Sequence, residues 1–255
     1  MIRLLDSLVR SNLLVYLLVR RGAIYLCRYF LLEEGFSFLR FVEPSPSYAA
    51  IDIGSNDGTS IEMIRQVHPN QMIHSFDPVR SPLKEYQNFE FHRVAISDHE
   101  GNLEINIPKV ENKIFTQYSS SDKEKVISQL MGDFDLSSSE ISFSTIESKC
   151  LKLDSFDLKP YFIKIDVEGG EVSVLRGSKE IIKRFSPVVL IEIQSFENYS
   201  TILNFMEALN YFNLKWPQKS RLKDYKDIGT YTRKRNNYLW IPKHIPNSWK
   251  LKQLN

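Results

Sequence analysis

The chain has 255 residues, with 33 Lys plus Arg against 31 Asp plus Glu; 42% of it is hydrophobic and 25% charged. That composition lies near the globular average and excludes disordered and collagen-like classes, and the length is ample for a sizeable core. Cys27 and Cys150, far apart and without companion ligands, exclude a disulfide framework and a zinc ribbon and point to a reducing, cytoplasmic setting.

The first forty residues are apolar and arginine-rich. Leu13–Val19 is an uninterrupted apolar run closed by Arg20 and Arg21. A spanning helix needs roughly 20 largely uncharged residues. Extending this run to Leu32 would bury three arginines, at about 2.5–3.5 kcal/mol each near a bilayer centre, so the segment is not expected to span. No small-x-small site follows, so a cleaved leader is not expected either. Leu4, Leu5, Leu8, Leu14, Leu17 and Leu18 recur at mostly three-to-four spacing, which predicts one or two helices. Two placements stay open: a layer packed on the main domain, or peripheral contact of residues 1–40 with the inner face of a membrane, arginines at the headgroups. Pro44 and Pro46 forbid helix continuation and predict a linker from Glu43 to Ser47. The expected organisation is a helical extension over 1–47 and a main domain over 48–255.

From Tyr48 the texture alternates between strand and helix. Tyr48–Ile53 predicts a buried strand, followed by a glycine-bearing turn and a helix to about Val67. Further strands are predicted at Gln71–Phe76, Phe89–Ile96, Tyr161–Val167 and Pro187–Ile193, with helices at Gly170–Arg184 and Tyr199–Tyr211. Asn213–Trp216 and Asn237–Ile241 read as the last two strands. This rhythm predicts an α/β fold with a largely parallel sheet covered on both faces. Between Pro108 and Lys149 the chain turns polar and serine-rich, as in Ser119–Ser121 and Ser137–Ser139. It reads as a long loop, either a lid or a mobile insertion.

The near-zero net charge is an average over unlike regions. Residues 1–40 hold six basic and three acidic groups, residues 215–255 hold eleven basic groups and two acids, and the middle is acidic. An anionic surface or ligand near the termini is one reading and a solvated basic tail the other.

Two segments carry chemistry. In Ala50-Ile-Asp52-Ile-Gly54-Ser-Asn56-Asp57-Gly58 a buried strand ends beside a carboxylate and two glycines, which permit a sharp turn and close approach. The spacing is not the Gly-x-Gly-x-x-Gly fingerprint that receives a pyrophosphate; an acid at the strand end suits an ammonium or sulfonium. The next strand ends in Asp77-Pro78, placed to accept bonds from ribose hydroxyls. Together these acids and the glycine turn describe an S-adenosylmethionine site. Further on, Lys164-Ile-Asp166-Val-Glu168-Gly169-Gly170-Glu171 crowds three carboxylates around two glycines at another strand end.

Residues 164–177 resemble the Lys-x-Asp-x-Glu-Gly-x-Glu and Val-Leu-x-Gly hallmark of the FkbM family of S-adenosylmethionine-dependent methyltransferases. Asp52–Gly58 is similar to that family's first motif, with Ser55 in place of alanine. Ala95-Ile-Ser97-Asp98 resembles its Ala-x-Ser-Asp segment, and Leu153-Asp154-Ser155 its Leu-Asp step. The resemblance covers roughly residues 49–245. It departs at Asp77, where the family usually has glutamate. It implies a Rossmann-like seven-stranded methyltransferase sheet with its first, fourth and fifth strands adjacent. S-adenosylmethionine would be held by Asp52, Gly54, Asn56, Gly58, Asp77, Ala95 and Asp98, and the implied reaction is O-methylation of a hydroxyl on a glycan or other hydroxylated metabolite.

A hydroxyl acceptor must lose its proton. Asp166, Glu168 and Glu192 are the candidates, acting directly or, for Asp166 and Glu192, by holding a divalent cation such as Mg²⁺. Glu168 and Glu171 also suit a helix N-terminus, and Lys164 reads as a partner for a carboxylate. His74 reads as a core histidine, while His92 and His99 could reach the cofactor edge. The alternative function is RNA methylation through the basic C-terminal segment, whose Trp216, Tyr225, Tyr231, Tyr238 and Trp240 are interleaved with cations. The lack of an Asn-Pro-Pro-Tyr-like motif or a Pro-Cys nucleophile argues against nucleic acid.

Overall fold

In the computed structural model the described residues are 32–33, 35–82, 86–193, 195–214, 237–244, 246 and 249–251. The helices expected in the N-terminal extension and most of the basic segment, residues 215–236, lie outside them. No helix among the described residues is long and apolar enough to cross a membrane.

The central strands of the main sheet are predominantly apolar, as burial on both faces requires, with Asp52 in the first of them and Lys164 in its neighbour as buried charged exceptions. All five residues of β2 (Ala49–Ile53) and all six of β9 (Pro160–Ile165) are buried. They pair in parallel with each other; β3 (Met72–Phe76) joins β2, β4 (Phe89–His92) joins β3, and β10 (Val188–Glu192) joins β9, all in parallel. β11 (Tyr211–Leu214) and β12 (Asn237–Pro242) finish the sheet, β12 antiparallel to both of its neighbours. The order is β4-β3-β2-β9-β10-β12-β11. The expected adjacency of the first, fourth and fifth strands is therefore present, and the order reverses direction between β2 and β9. Open α/β sheets bind ligands at such a switch point, outside the carboxyl ends of the strands.

Period-two alternation sorts the strand residues between two cores. Ile51, Ile53, Ile163, Ile165, Val189 and Ile191 pack against Val174 and Leu175 of α3 (Glu171–Gly177), Ile182 of α4 (Lys179–Phe185) and Ile202 and Met206 of α5 (Phe196–Ala208). Ala50, Phe162, Val188 and Leu190 face the other way, onto Ile61 and Ile64 of α1 (Thr59–Val67) and onto Phe36 and Leu39 of a 3-10 helix, Phe36–Phe41. Local signals fix the ends: the Asp154 carboxylate accepts the N–H groups of Glu180 and Ile181 at the start of α4, and Ser195 caps α5 through the Asn198 N–H.

Four expectations are corrected. Glu43–Ser47 does not run as a free linker, because β1 (Val42–Pro44) pairs antiparallel with β13 (Trp249–Leu251); Pro44 is tolerated on so short an edge pair. The strand expected over Phe89–Ile96 is two: β4 ends at His92, and β5 (Ala95–Ile96) crosses to a second sheet. The single helix expected over Gly170–Arg184 divides at Gly177 and Ser178, where Gly177 presses on the Ser97 carbonyl. The polar stretch 108–149 is not a loop. β6 (Gly101–Val110) pairs along its whole length with β8 (Ile141–Leu151), and β7 (Lys113–Ile114) and α2 (Lys123–Phe134) lie between. Val126, Leu130 and Phe134, at every fourth residue of α2, close a separate small core with Val110, Phe115 and Ile141.

Candidate active site

The turn after β2 and the turn after β9 meet at the switch point. Gly54 donates its N–H to the Phe76 carbonyl (2.8 Å), and Asp166 donates its own to the Ile53 carbonyl (2.9 Å). Gly54 adopts φ +83°, and a Cβ on it would lie 1.7 Å from the Asp166 carbonyl oxygen. The glycine lets the two motif turns touch backbone to backbone; the crowding atom belongs to the protein itself.

Four charged side chains gather there. Asp52 is fully buried, and its Oδ2 accepts a hydrogen bond from the Ser60 hydroxyl (2.5 Å). Its Oδ1 accepts none from any described residue. Burial pushes this carboxyl up to about 6, against the opposing pull of Lys164. Lys164 is itself buried, with Nζ 2.9 Å from Asp166 Oδ2. Burial works against its charge, but Asp166, Asp52 and Glu192 together hold the ammonium above its ordinary range. Asp166, by contrast, keeps 29% of its side chain exposed. Lys164 thus supplies the positive charge in the space where Asp166 and Glu192 were expected to hold a divalent cation.

Asp77 occupies the end of β3. Its Oδ1 accepts the N–H groups of Val79 and Arg80 (both 2.8 Å), and its Oδ2 accepts that of Asn56 (2.9 Å). A carboxylate offers about four lone-pair directions, so one remains for a ligand. Burial nonetheless raises this carboxyl, outweighing the three N–H groups. Asp77 therefore ties the first-motif turn to the turn after β3. Asn56 sits in the left-handed region at φ +43°, and its side-chain oxygen accepts a bond from the Thr116 hydroxyl (2.8 Å). Gly58 gives its N–H to the Ser55 carbonyl. Ser55, standing where the motif has alanine, accepts a bond from the Ser75 hydroxyl (2.6 Å).

Glu168 is also left-handed, at φ +52°. Its carbonyl accepts the Ser120 hydroxyl (2.9 Å) and its carboxylate the Gln129 amide (3.3 Å). Glu171 is buried in the first turn of α3, where it accepts the Gly169 N–H (2.7 Å) and the Asn198 amide (3.2 Å), so it has the helix-terminus role. Burial raises its carboxyl.

The structure thus brings together Asp52, Gly54, Asn56, Gly58, Asp77, Asp166 and Glu168, with Glu192 at the neighbouring end of β10. Ala95 and Asp98 are tied to other partners. Ala95 pairs with Cys150 in the second sheet. Asp98 is joined to His99 (3.1 Å) and Arg176 (3.9 Å), at the last turn of α3. Its contact with His99 holds this carboxyl below its usual range. Among the described residues no hydrogen bond links it to Asp52, Asn56 or Asp77. His74 and His92 meet each other on the sheet face, and burial lowers both imidazoles. Of the aromatics in the basic C-terminal segment, Tyr238 and Trp240 are buried core residues of β12; the other three lie outside the described residues.

Thr116, Ser120 and Gln129 are the contributors that motif reading passes over. They come from the inserted β6–β8 unit and place it over both motif turns. Nothing in their spacing marks them, because the contact depends on the hairpin folding back.

A Rossmann-like methyltransferase architecture is what the strand order and the two acid-bearing turns define. A family model described as the methyltransferase FkbM domain matches residues 52–212, and the chain belongs to that family. Among solved structures it is similar to an FkbM methyltransferase from Methylobacillus flagellatus, at 16% identity and a TM-score of 0.48, over 94% of this chain and 57% of that one. It is also similar to a precorrin-6y C5,15-methyltransferase from Geobacter metallireducens, at 14% identity and a TM-score of 0.38, over 81% and 83% of the two chains. The chain spans little more than half the length of the first of these. No curated protein matches it.

Proposed function

We propose that the protein is an S-adenosylmethionine-dependent O-methyltransferase whose acceptor is a hydroxyl of a glycan or another hydroxylated metabolite. The observation that carries this reading is Asp52: a buried carboxylate with an unpartnered oxygen at the switch point, between turns that match the family's motifs. Acids gathered at the carboxyl ends of adjacent strands suit a ligand bearing an ammonium and a sulfonium, and the remaining lone pair of Asp77 suits a ribose hydroxyl. The residues present therefore fit the cofactor, which when bound supplies an electrophilic methyl group.

The protein's share is positioning and proton removal. Asp77 and Asn56 hold the two cofactor turns in one geometry, and such pre-set placement accounts for much of the rate in a displacement of this kind. Asp166 is the group we assign to accept the acceptor's proton: it is partly exposed at the crevice, and Lys164 fixes its orientation. Glu192 and Glu168 flank it. Lys164 offsets part of the negative charge of these acids.

Methyl transfer from labelled cofactor into fractionated cell extract tests the reading. Label is expected in a glycan or small hydroxylated fraction; label confined to RNA would support the basic-segment alternative instead. By calorimetry, Asp77→Ala is expected to weaken cofactor affinity at least about tenfold, about 1.4 kcal/mol, because it releases three backbone N–H groups. Unchanged affinity would remove Asp77 from the site. Asp166→Asn is expected to lower turnover by about 10²–10⁴-fold with cofactor affinity largely kept, and full turnover would exclude it as the base.

A further inference from the structure

On the far side of the sheet from α1, β3 and β4 present a second constellation that the methyl-transfer reading does not use. His74 lies directly opposite Glu90 in the parallel register, and Phe76 opposite His92. Residues two apart on a strand share a face, so His-x-Phe on β3 and Glu-x-His on β4 bring these four side chains together. His74 Nδ1 stands 3.3 Å from His92 Nε2. The Glu90 carboxylate spans both rings, with Oε2 3.5 Å from His74 Nδ1 and Oε1 3.7 Å from His92 Nε2.

Two features make this more than a surface ion pair. The same two nitrogens that face the carboxylate also face each other. If both carried protons, those protons would be driven together across 3.3 Å, so at least one nitrogen offers a lone pair to the other, and an ion beside the carboxylate can take the place of the shared proton. Ligand atoms about 2.0–2.1 Å from a tetrahedral ion stand about 3.4 Å apart, which is the spacing observed. The rings are also held in place before any ion arrives. His92 stacks on Phe76 (centroids 4.4 Å, planes 11° apart) and meets the edge of Phe156 (5.5 Å), while His74 meets His92 edge to edge (centroids 5.5 Å, planes 23° apart). The histidine side chains are only 12% and 17% exposed, whereas Glu90 is 55% exposed, so a further coordination position opens towards solvent.

We propose that His74, Glu90 and His92 bind a divalent transition-metal ion of the zinc class. Two imidazoles favour such an ion over Mg²⁺, which prefers an all-oxygen set. It would fasten edge strand β4 to β3 beside the cofactor site, since the His92 carbonyl accepts the Asp77 N–H (3.2 Å).

Zinc titration of the chelator-stripped full-length chain tests this independently of methyl transfer. Calorimetry should show about one equivalent bound, an affinity reduced at least about tenfold in His74→Ala and in His92→Ala, and no loss in His99→Ala. The unfolding temperature should rise with zinc for the parent and not for His92→Ala. Equal zinc affinity in the parent and in a folded His74→Ala/His92→Ala double variant would overturn the proposal. Should that double variant not fold, Glu90→Gln at the exposed ligand serves with cobalt(II) as the probe. The visible ligand-field bands should change with the substitution, and identical bands would also overturn the proposal.

Discussion

Gly54→Ala is expected to cost about 4 kcal/mol or more of folding stability. Two costs add at this position. The residue sits at φ +83°, where an L side chain is disfavoured by about 1–2 kcal/mol. The new Cβ would also lie 1.7 Å from the Asp166 carbonyl oxygen; since that atom is backbone, no side-chain rotation relieves the overlap. The turns after β2 and β9 would have to separate, breaking the hydrogen bonds that Gly54 and Asp166 donate to Phe76 and Ile53. Domains are stable by only about 5–15 kcal/mol, so little native protein would remain at 37 °C. Gly177→Ala is the informative companion. Its Cβ would lie 1.8 Å from the Ser97 carbonyl oxygen, without a left-handed φ, so it reports the overlap alone. Urea unfolding of both variants separates the two costs. A Gly54→Ala protein within about 1 kcal/mol of its parent would contradict the backbone-contact account.

That contact also shows why some features are readable in sequence and others are not. The sheet could be read because strands buried on both faces are continuous apolar runs, as in Val188–Ile191, and their order follows from the motif resemblance. The acids could be read because Asp52, Asp77 and Asp166 terminate those runs. The glycine at position 54 was recognisable as a close approach, but its partner was not: a ligand and the backbone of Asp166, more than a hundred residues away, leave the same local signature. The insertion was misread for a related reason. Ser142, Ser144 and Thr145 of β8 lie at exposed or half-buried positions of the smaller sheet, so composition resembles a loop. The regular signal, Val126, Leu130 and Phe134 on α2, was present but short. The pairing of His74 with Glu90 and His92 depends on the register of β3 against β4, which neither strand specifies by itself.

Lys164 is the site residue whose importance depends most on what surrounds it, and Lys164→Met is expected to destabilise the fold by about 3–5 kcal/mol at neutral pH. Removing one partner from a buried ionic group leaves the others uncompensated, and losses of about this size result. Here the abandoned group is chiefly Asp52, which has no exposure to solvent; Asp166 retains partial exposure and can recover some hydration. The loss should depend on pH with a definite sign. Asp52 titrates near 6 in the fold, against an ordinary value of 3.8, so the native state holds its proton more tightly than the unfolded chain does. Its contribution is therefore most favourable below about pH 4 and declines as pH rises through the folded value. Lys164 is what keeps that value from going higher. Without it the decline extends upward, so Lys164→Met should differ least from the parent near pH 5 and most near pH 8. Asp52→Asn removes the titrating group, and in the Lys164→Met background it should restore part of the stability at pH 8 while flattening the pH dependence. Urea unfolding of the parent, both single variants and the double variant at the two pH values gives the coupling directly. Zero coupling at pH 8, or a Lys164→Met loss that is the same at both values, would show that the ammonium and the Asp52 carboxylate do not depend on each other. In that case the role of Lys164 would reduce to its ion pair with Asp166, and the buried Asp52 would owe its state to burial and the Ser60 hydroxyl alone.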